Sequence, residues 1–276
     1  MKSGNFWLWN VIEAALQQAK VPRKSFLREQ PIYRVSKTWD LAFEGEGTID
    51  FVNITRERQA FVIPPVFMWP IDDFDDYVSR CTHVWTHSDL MEGRERYFGA
   101  FDKIVYVIRD PRDISLSVKR FDANAFRRRF YGTSPDQPIE AALGWDRNVE
   151  GHLASKKRFR IHVLFYERLL HAWDAELDAL LDYLELELSA SQKRAVAKRT
   201  RFGEMKKRSA LHVAKGEAYG WARDLDDRSR GSFTSLHRPL LELLGYPLDE
   251  TAATAQVLPA VPSQQRLTQF FKRGQR

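Results

Sequence analysis

A short polar turn, Lys2-Ser3-Gly4-Asn5, stands directly ahead of a run of apolar residues at helical spacing. The first amide groups of a helix have no partner within the helix, and the helix dipole is positive at that end. Such a turn therefore suits a phosphate or a sulfate. Lys2 would add a full positive charge, and Gly4 would let the main chain approach the anion closely. The alternative is a plain helix cap, a common role for serine and asparagine at this position.

A second polar cluster begins where the apolar segment 103–109 ends. Arg109 closes that segment, and Asp110, Arg112 and Asp113 open a predicted helix. A basic side chain at the end of a strand can bind a second phosphate, so the chain has two separated candidate sites for anionic groups. Alternatively, the two arginines pair with the two aspartates as a solvated surface network.

A third segment, Thr82-His83-Val84-Trp85-Thr86-His87, supplies candidate bases. If it forms a strand, alternation places His83, Trp85 and His87 on one face. An unperturbed imidazole titrates near neutral pH, so either histidine is suited to removing a proton from a hydroxyl or an amine. A hydrogen-bonded structural role is the alternative for each of them.

The elements that must position these residues follow from apolar periodicity. A helix is predicted from Trp7 to Lys20, because apolar residues recur there at helical spacing. Segments 103–109 and 160–166 are short, β-branched and apolar, which is typical of parallel strands buried on both faces. Further helices are predicted at residues 110–129, 139–154, 173–186, 191–198 and 232–244. This alternation predicts an α/β fold with a central parallel sheet flanked by helices.

The region 31–70 mixes glycines, aromatic residues and the pair Pro64-Pro65. It is predicted to form loops around one or two short strands, such as 49–54, and to contribute to acceptor binding. A candidate apolar acceptor pocket would combine Phe43, Phe61, Phe67, Trp69 and His83.

Composition limits the class of protein. The chain has 276 residues, and 43 Lys and Arg against 37 Asp and Glu give a net charge of +6, which suits an anionic ligand, nucleic acid or a membrane surface without choosing among them. Acidic clusters such as residues 72–76 are interspersed with the basic residues, so the distribution of charge does not favour nucleic-acid binding. The single cysteine, Cys81, excludes an internal disulfide framework. No apolar run is long enough to span a bilayer and no secretory signal is evident, so the predicted location is the cytoplasm.

The polar segments also resemble a known family. Segment 106–117, Tyr-Val-Ile-Arg-Asp-Pro-Arg-Asp-Ile-Ser-Leu-Ser, resembles the nucleotide-binding signature of the sulfotransferase family. Segment 1–8 resembles that family's phosphosulfate loop, usually written Pro-Lys-Ser-Gly-Thr-Thr-Trp. The two motifs stand in the family's order, and the resemblance extends to about Tyr246 through segments 164–167, 200–207, 214–216 and 220–221.

The resemblance implies a three-layer P-loop-like fold with a central parallel sheet. It also implies a sulfotransferase that uses 3′-phosphoadenosine 5′-phosphosulfate (PAPS) and releases 3′,5′-adenosine bisphosphate (PAP). The acceptor would be a hydroxyl or an amine of a small molecule or a lipid. Residues 1–246 are the predicted sulfotransferase domain, and residues 247–276 a C-terminal extension.

The matching positions imply individual roles. The 5′ phosphosulfate would be cradled by Lys2, Ser3, Gly4, Asn5 and Phe6. The 3′ phosphate would be held by Arg109, Ser117, Lys215 and Gly216. The adenine would stack on Trp7, and the rest of the nucleoside pocket would be lined by Tyr166, Thr200, Phe202 and Met205. Because Thr86-His87 resembles the family's Lys-Thr-His segment, His87 would be the general base, while Lys2 would neutralise the bridging oxygen of the leaving phosphate.

Three positions depart from the family's pattern. Trp85 stands where lysine is usual, and Ala214 where arginine is usual. Met1 stands at the proline position of the loop, so the first strand, which should feed the loop, is expected to be missing from an N-terminally incomplete chain. These departures keep a second hypothesis open, a non-catalytic nucleotide-binding relative. A phosphoryl-transferring kinase is disfavoured because the Walker pattern and a clear Mg²⁺ carboxylate are lacking.

Overall fold

The computed structural model of the chain describes residues 3–41, 45–63, 66–90, 93–122, 144–208 and 216–273. Several positions singled out in the sequence lie outside the described residues, namely Met1, Lys2, Phe43, Ala214 and Lys215. The same holds for residues 123–129 and 139–143 of two predicted helices.

Helices form most of the described structure. In chain order they are α1 (Asn5–Gln18), α2 (Phe26–Glu29), α3 (Phe74–Ser79), α4 (Glu95–Phe98), α5 (Pro111–Asp122), α6 (Trp145–Ser155), α7 (Tyr166–His171), α8 (Trp173–Leu184), α9 (Ala190–Thr200), α10 (Phe202–Arg208), α11 (Trp221–Asp224), α12 (Asp227–Leu244), α13 (Glu250–Thr254) and α14 (Gln264–Arg273). Two 3₁₀ helices span Pro31–Thr38 and Glu46–Thr48.

The strands of the described residues form two sheets. They are β1 (Phe51–Ile54), β2 (Gln59–Ile63), β3 (Phe67–Pro70), β4 (Trp85–Thr86), β5 (Val105–Ile108) and β6 (His162–Phe165). The first sheet has the order β3-β2-β1-β4, with β1 and β4 parallel and the other pairs antiparallel. The second sheet is the parallel pair β5-β6, in which Val105 is opposite His162 and Ile108 is opposite Phe165.

The predicted α/β class with a parallel sheet and covering helices is confirmed, with differences in detail. The described residues of region 31–70 contain three strands, whereas one or two were predicted. The additional strand, β3, pairs with β2 at the edge of the sheet, and its Trp69 is 62% exposed. The histidine segment is a strand only at Trp85–Thr86, where it pairs with β1. Tertiary pairing, which local pattern does not reveal, accounts for both differences.

Helix α1 covers the second sheet. It buries Trp7, Val11, Ala14 and Ala15, which form one stripe at a spacing of three and four residues. That stripe packs on α9 and joins Val107 and Leu164 of the parallel pair in one apolar cluster. The burial of this face fixes where the turn ahead of α1 lies relative to β5.

The C-terminal segment packs on the rest of the chain. Leu267 of α14 and Ala253 of α13 are buried in the same apolar cluster as Tyr246. Helix α14 packs against α6 and α12.

Candidate active site

The turn ahead of α1 has a conformation that requires glycine. Gly4 has φ +100°, a left-handed value that other residues adopt only with strain. A Cβ atom at this position would come within 2.6 Å of Cδ2 of Tyr166. No side chain of the described residues caps α1, and no acidic residue lies in its first turn. The positive end of the helix dipole therefore remains uncompensated next to Ser3 and Gly4.

Tyr166 connects this turn to the end of β5. One edge of its ring faces Gly4, and the guanidinium carbon of Arg109 lies 4.1 Å from the ring centroid. Arg109 is only 7% exposed and donates from Nη2 to the carbonyl oxygen of Glu217 at 3.3 Å. The structure therefore brings the two sequence segments predicted to bind anions to one aromatic ring.

Trp7 connects the same turn to the segment around residue 200. Its indole Nε1 donates to the carbonyl oxygen of Thr200 at 2.8 Å. The ring stacks on Trp173 with a centroid distance of 5.8 Å and meets Tyr166 edge-on at 5.6 Å. Met205 is buried in the same cluster, and Phe202 packs against it. Trp7 is thus held on several sides and is itself only 7% exposed.

Gly216 lies against Phe202. It has φ +67°, and a Cβ atom there would approach the Phe202 ring to 2.3 Å. Asp113 fixes the following residues, because its carboxylate accepts from the amides of Tyr219 at 2.7 Å and Trp221 at 2.9 Å. Burial raises the pKa of Asp113 to about 6. The loop after residue 215 is thereby held beside the start of α5.

Arg112, unlike Arg109, is fully buried and belongs to the framework. Its guanidinium pairs with both oxygens of Asp110, at 2.9 and 2.7 Å, and donates to Thr234 and to the carbonyl of Pro247. It also lies over the Trp221 ring, 3.6 Å from the centroid. The alternative of a solvated arginine–aspartate network is therefore wrong for this pair. Ser117 is partly buried on the second turn of α5, the helix that follows Arg109.

Glu167 is a buried acid that sequence reasoning missed. Its Oε1 accepts from the amide of Asp110 at 3.0 Å, and its Oε2 accepts from the Tyr246 hydroxyl at 3.1 Å. Burial raises the pKa of its carboxyl to about 8. Its position in the sequence could have indicated a role in the site, because it directly follows a predicted buried strand and the carboxyl ends of parallel strands lie at one edge of a sheet. Its role is to hold the end of β5 beside the end of β6.

His87 lies beside the turn ahead of α1. The side-chain amide nitrogen of Asn5 is 3.0 Å from Nδ1 of His87. The rings of Phe51 and Trp85 meet the imidazole edge-to-face at centroid distances of 5.3 and 5.7 Å. The structure thus places the predicted base in contact with the predicted anion-binding turn.

His83 has a different environment. Its Nε2 lies 3.0 Å from Oε2 of Glu13, and its ring stacks on Trp9 with a centroid distance of 4.1 Å. The hydrogen bond from His83 lowers the pKa of Glu13. Glu13 was missed because it stands on α1, and only the folded chain brings it to the histidine segment.

The described members of the predicted apolar acceptor pocket do not line one common cavity. Phe61 belongs to the buried core and packs edge-on against Phe67, whereas Trp69 is exposed. His83 instead lines a groove of about 500 Å³ between β4 and β5, together with Asn5, Trp85 and His87.

In the chain outside the gaps given above, no cluster of acidic, histidine or cysteine side chains could hold a metal ion. The described helices include none with the length and apolar character needed to cross a bilayer.

Comparison with known proteins finds solved structures of similar fold and one family model. A crystal structure of mouse sulfotransferase SULT7A1 complexed with PAP matches at 18% identity with a TM-score of 0.58, covering 87% of this chain and 81% of that one. A structure of retinol dehydratase with androsterone and inactive cofactor PAP matches at 19% identity with a TM-score of 0.47, covering 58% of this chain and 52% of that one. No curated protein matches significantly. The family model of the sulfotransferase domain matches residues 2–235, so the chain belongs to the sulfotransferase family.

Proposed function

We propose that this protein transfers a sulfuryl group from PAPS to a hydroxyl or an amine of a small-molecule or lipid acceptor. The observation that carries the proposal is the 3.0 Å contact between Asn5 and His87. It joins a turn suited to binding an anion to a side chain suited to removing the proton of an acceptor. Membership of the sulfotransferase family supports the same reaction.

The described residues fit a nucleotide with phosphates at both ends of its ribose. Such a ligand needs two separated positive regions, for which the start of α1, at one edge of the Tyr166 ring, and Arg109, over that ring, are the candidates. Both regions lie at the carboxyl end of the parallel pair, where open α/β sheets bind their ligands. Gly4 and Gly216 both have the left-handed backbone that lets a loop bend around an anion.

Particular residues would hold each part of the cofactor. The 5′ phosphosulfate is assigned to Ser3, Gly4, Asn5 and Phe6, with Lys2. The 3′ phosphate is assigned to Arg109, Ser117 and Gly216, with Lys215. The nucleoside is assigned to Trp7, Tyr166, Thr200, Phe202 and Met205. When bound, the cofactor supplies a sulfuryl group on a phosphate that can leave.

The chain's own residues would do the rest of the chemistry. His87 would take the proton of the acceptor at Nε2 as the acceptor's oxygen or nitrogen attacks, with the Asn5 amide turned by half a turn so that its oxygen accepts from Nδ1–H. Lys2 and the amides at the start of α1 offset the negative charge that grows on the leaving phosphate. Asn5 and Trp85 hold the imidazole in place at this point.

Trp85 favours the second candidate, a non-catalytic nucleotide-binding relative. It stands where the family pattern has lysine, and here it packs against His87 and Phe51 instead of supplying a cation. A protein of this kind would bind PAP normally and transfer nothing.

Two measurements on the same preparation separate these candidates. PAP should raise the melting temperature well above the effect of equimolar ATP or NAD, since only PAP fills both positive regions. Incubation with sulfur-labelled PAPS and a panel of phenols, sterols, amines and glycolipids should then give a labelled product. A selective shift without product across the panel supports the non-catalytic relative, and the absence of a selective shift contradicts both.

A further inference from the structure

Helix α5 carries a polar stripe at Asp113, Ser117 and Arg120. These residues follow one another at intervals of four and three, so their side chains leave the helix on the same side. Asp113 shows where that side faces, because its carboxylate accepts from main-chain amides of the segment 219–221. Ser117 and Arg120 therefore lie on the side of α5 that faces the chain after Gly216.

Arg120 lies close enough to Tyr166 to act on it electrostatically. Burial raises the pKa of Tyr166, and the positive charges of Arg109 and Arg120 both oppose that rise. Arg109 lies over the same ring, with its guanidinium carbon 4.1 Å from the centroid. The interaction between charges weakens with distance and is screened by water, so both arginines must lie near this tyrosine. Two guanidinium groups are thus gathered near one ring, and Ser117 stands one helical turn from the second of them.

The guanidinium of Arg120 is only loosely held. Its Nη1 lies 3.9 Å from Oδ2 of Asp224, which is too long for a hydrogen bond. Its Nε is shielded from solvent and has no hydrogen-bond partner among the described residues. An unpaired buried donor costs free energy, so this group favours an acceptor that can reach it. Arg120 therefore has a donor that the described chain does not use.

Asp224 has a closer partner than Arg120. Nε of Arg223 donates to its Oδ1 at 2.7 Å, and Nη2 of Arg223 donates to its Oδ2 at 3.2 Å. Two hydrogen bonds from one guanidinium are the favoured way to neutralise a carboxylate. Arg120 can therefore turn from Asp224 to another anion without leaving that carboxylate uncompensated.

We propose that Arg120 binds the 3′ phosphate of the cofactor together with Arg109, and that it leaves Asp224 to do so. The inference rests on the proposed function, because it takes PAPS as the cofactor. A phosphate monoester carries a charge of about −1.5 to −2 at neutral pH, which a second arginine beside Arg109 offsets. Alanine stands at position 214, where the family's pattern has arginine. In this chain α5 supplies a charge that position 214 lacks.

Calorimetric titration at physiological ionic strength tests the role of Arg120. Arg120→Gln should weaken the binding of PAP and of 3′-AMP at least about tenfold, since a charge-assisted hydrogen bond is lost, and should leave the Kd of 5′-AMP within about twofold. Lys119→Gln is the matched control. It removes the same charge from the neighbouring position, which is exposed on another side of α5, and should leave all three Kd values within about twofold.

Two further variants separate binding from a structural role. Arg120→Lys keeps the charge but not the planar group, so its affinity for PAP should lie between those of the unchanged protein and of Arg120→Gln. Asp224→Asn removes the competing carboxylate, so PAP should bind at least as tightly as to the unchanged protein. Weakening of PAP by Asp224→Asn to the level of Arg120→Gln would overturn the proposal, because the pair would then act as one structural unit.

The unchanged protein distinguishes this inference from the function on which it rests. Failure of PAP to bind the unchanged protein would contradict the proposed function itself. Tight binding of PAP to the unchanged protein with the same affinity in Arg120→Gln would overturn the role of Arg120 alone. Equal weakening of all three nucleotides would overturn it as well. Without nucleotide, the melting temperature of Arg120→Gln should stay within about 2 °C of that of the unchanged protein, as is usual for a partly exposed side chain.

Discussion

The side-chain amide nitrogen of Asn5 lies 3.0 Å from Nδ1 of His87, although the two residues are 82 positions apart. The contact joins the turn ahead of α1 to the residue that follows β4. Phe51 and Trp85 fix the imidazole from two further directions. A group bound at the turn therefore lies beside an oriented base, which is the arrangement that the proposed transfer needs.

Replacement of the proposed base should separate catalysis from binding. His87→Ala should lower the rate of sulfuryl transfer by about 100-fold or more, the usual contribution of a general base, while the Kd for PAP stays within about threefold. Asn5→Leu should give a smaller loss of kcat, because the ring loses one of its supports. His83→Gln is the matched control, since His83 pairs with Glu13, and it should retain transfer. Equal losses of transfer and of PAP affinity in His87→Ala would place His87 in binding alone.

Gly4→Ala should disrupt the turn and the fold around it. The left-handed backbone costs about 1–2 kcal/mol for a residue with a side chain, and the new Cβ atom would also clash with the Tyr166 ring. The melting temperature should fall, and stabilisation by PAP should be lost. Gly231→Ala is the control, because a Cβ atom at that position in α12 meets nothing within 4 Å. Alanine there should be neutral or slightly stabilising. Similar behaviour of the two variants would contradict the geometry assigned to Gly4.

The two arginines that flank Pro111 should respond differently to substitution. Arg112→Met leaves Asp110 buried without its partner and should reduce the free energy of unfolding by about 3–5 kcal/mol, measured by urea denaturation. Arg109→Lys should leave the fold nearly unchanged but weaken PAP binding at least about tenfold, because lysine cannot donate two hydrogen bonds in one plane. The assignment fails if Arg109→Lys unfolds the chain as readily as Arg112→Met.

Arg109 and Arg112 also show which features of the fold the sequence predicts and which it does not. Segment 106–117 correctly predicts a buried strand followed by a helix, because apolar β-branched residues give way to a helix-starting Asp-Pro turn. The same segment does not reveal which protein groups surround each arginine. Arg112 meets Thr234 and Pro247, and those partners are brought to it only by α12 and the residues that follow.

Contacts between distant elements explain the remaining differences. Glu13 stands on α1, and its pairing with His83 depends on how α1 packs over the groove. The described members of the predicted acceptor pocket are separated by burial, because Phe61 lies in the core on β2, whereas Trp69 lies on the edge strand β3 and is 62% exposed. The roles assigned to all the site residues, including Lys2 and Lys215, and the domain boundary at residue 246 stay predictions.

Glu167 should make stability depend on pH. Burial raises the pKa of its carboxyl in the folded chain to about 8, whereas the ordinary pKa of glutamate is 4.5. Between these values the unfolded chain binds fewer protons than the folded one, so stability should fall as pH rises, by an amount on the order of a few kcal/mol. Glu167→Gln should flatten the decline of the melting temperature from pH 5 to about pH 8. The exposed Glu187→Gln should leave the slope unchanged, and an unchanged slope in Glu167→Gln would contradict the assignment.

Calorimetric titration with three nucleotides tests the central claim most directly. If the start of α1 binds the 5′ phosphate of PAP and Arg109 binds its 3′ phosphate, PAP should bind at least about 100-fold more tightly than 5′-AMP or 3′-AMP. That factor corresponds to about 2.7 kcal/mol of binding free energy. Arg109→Lys should weaken PAP and 3′-AMP but leave 5′-AMP unchanged. Equal affinities of the three nucleotides, or equal weakening of all three by Arg109→Lys, would contradict the account.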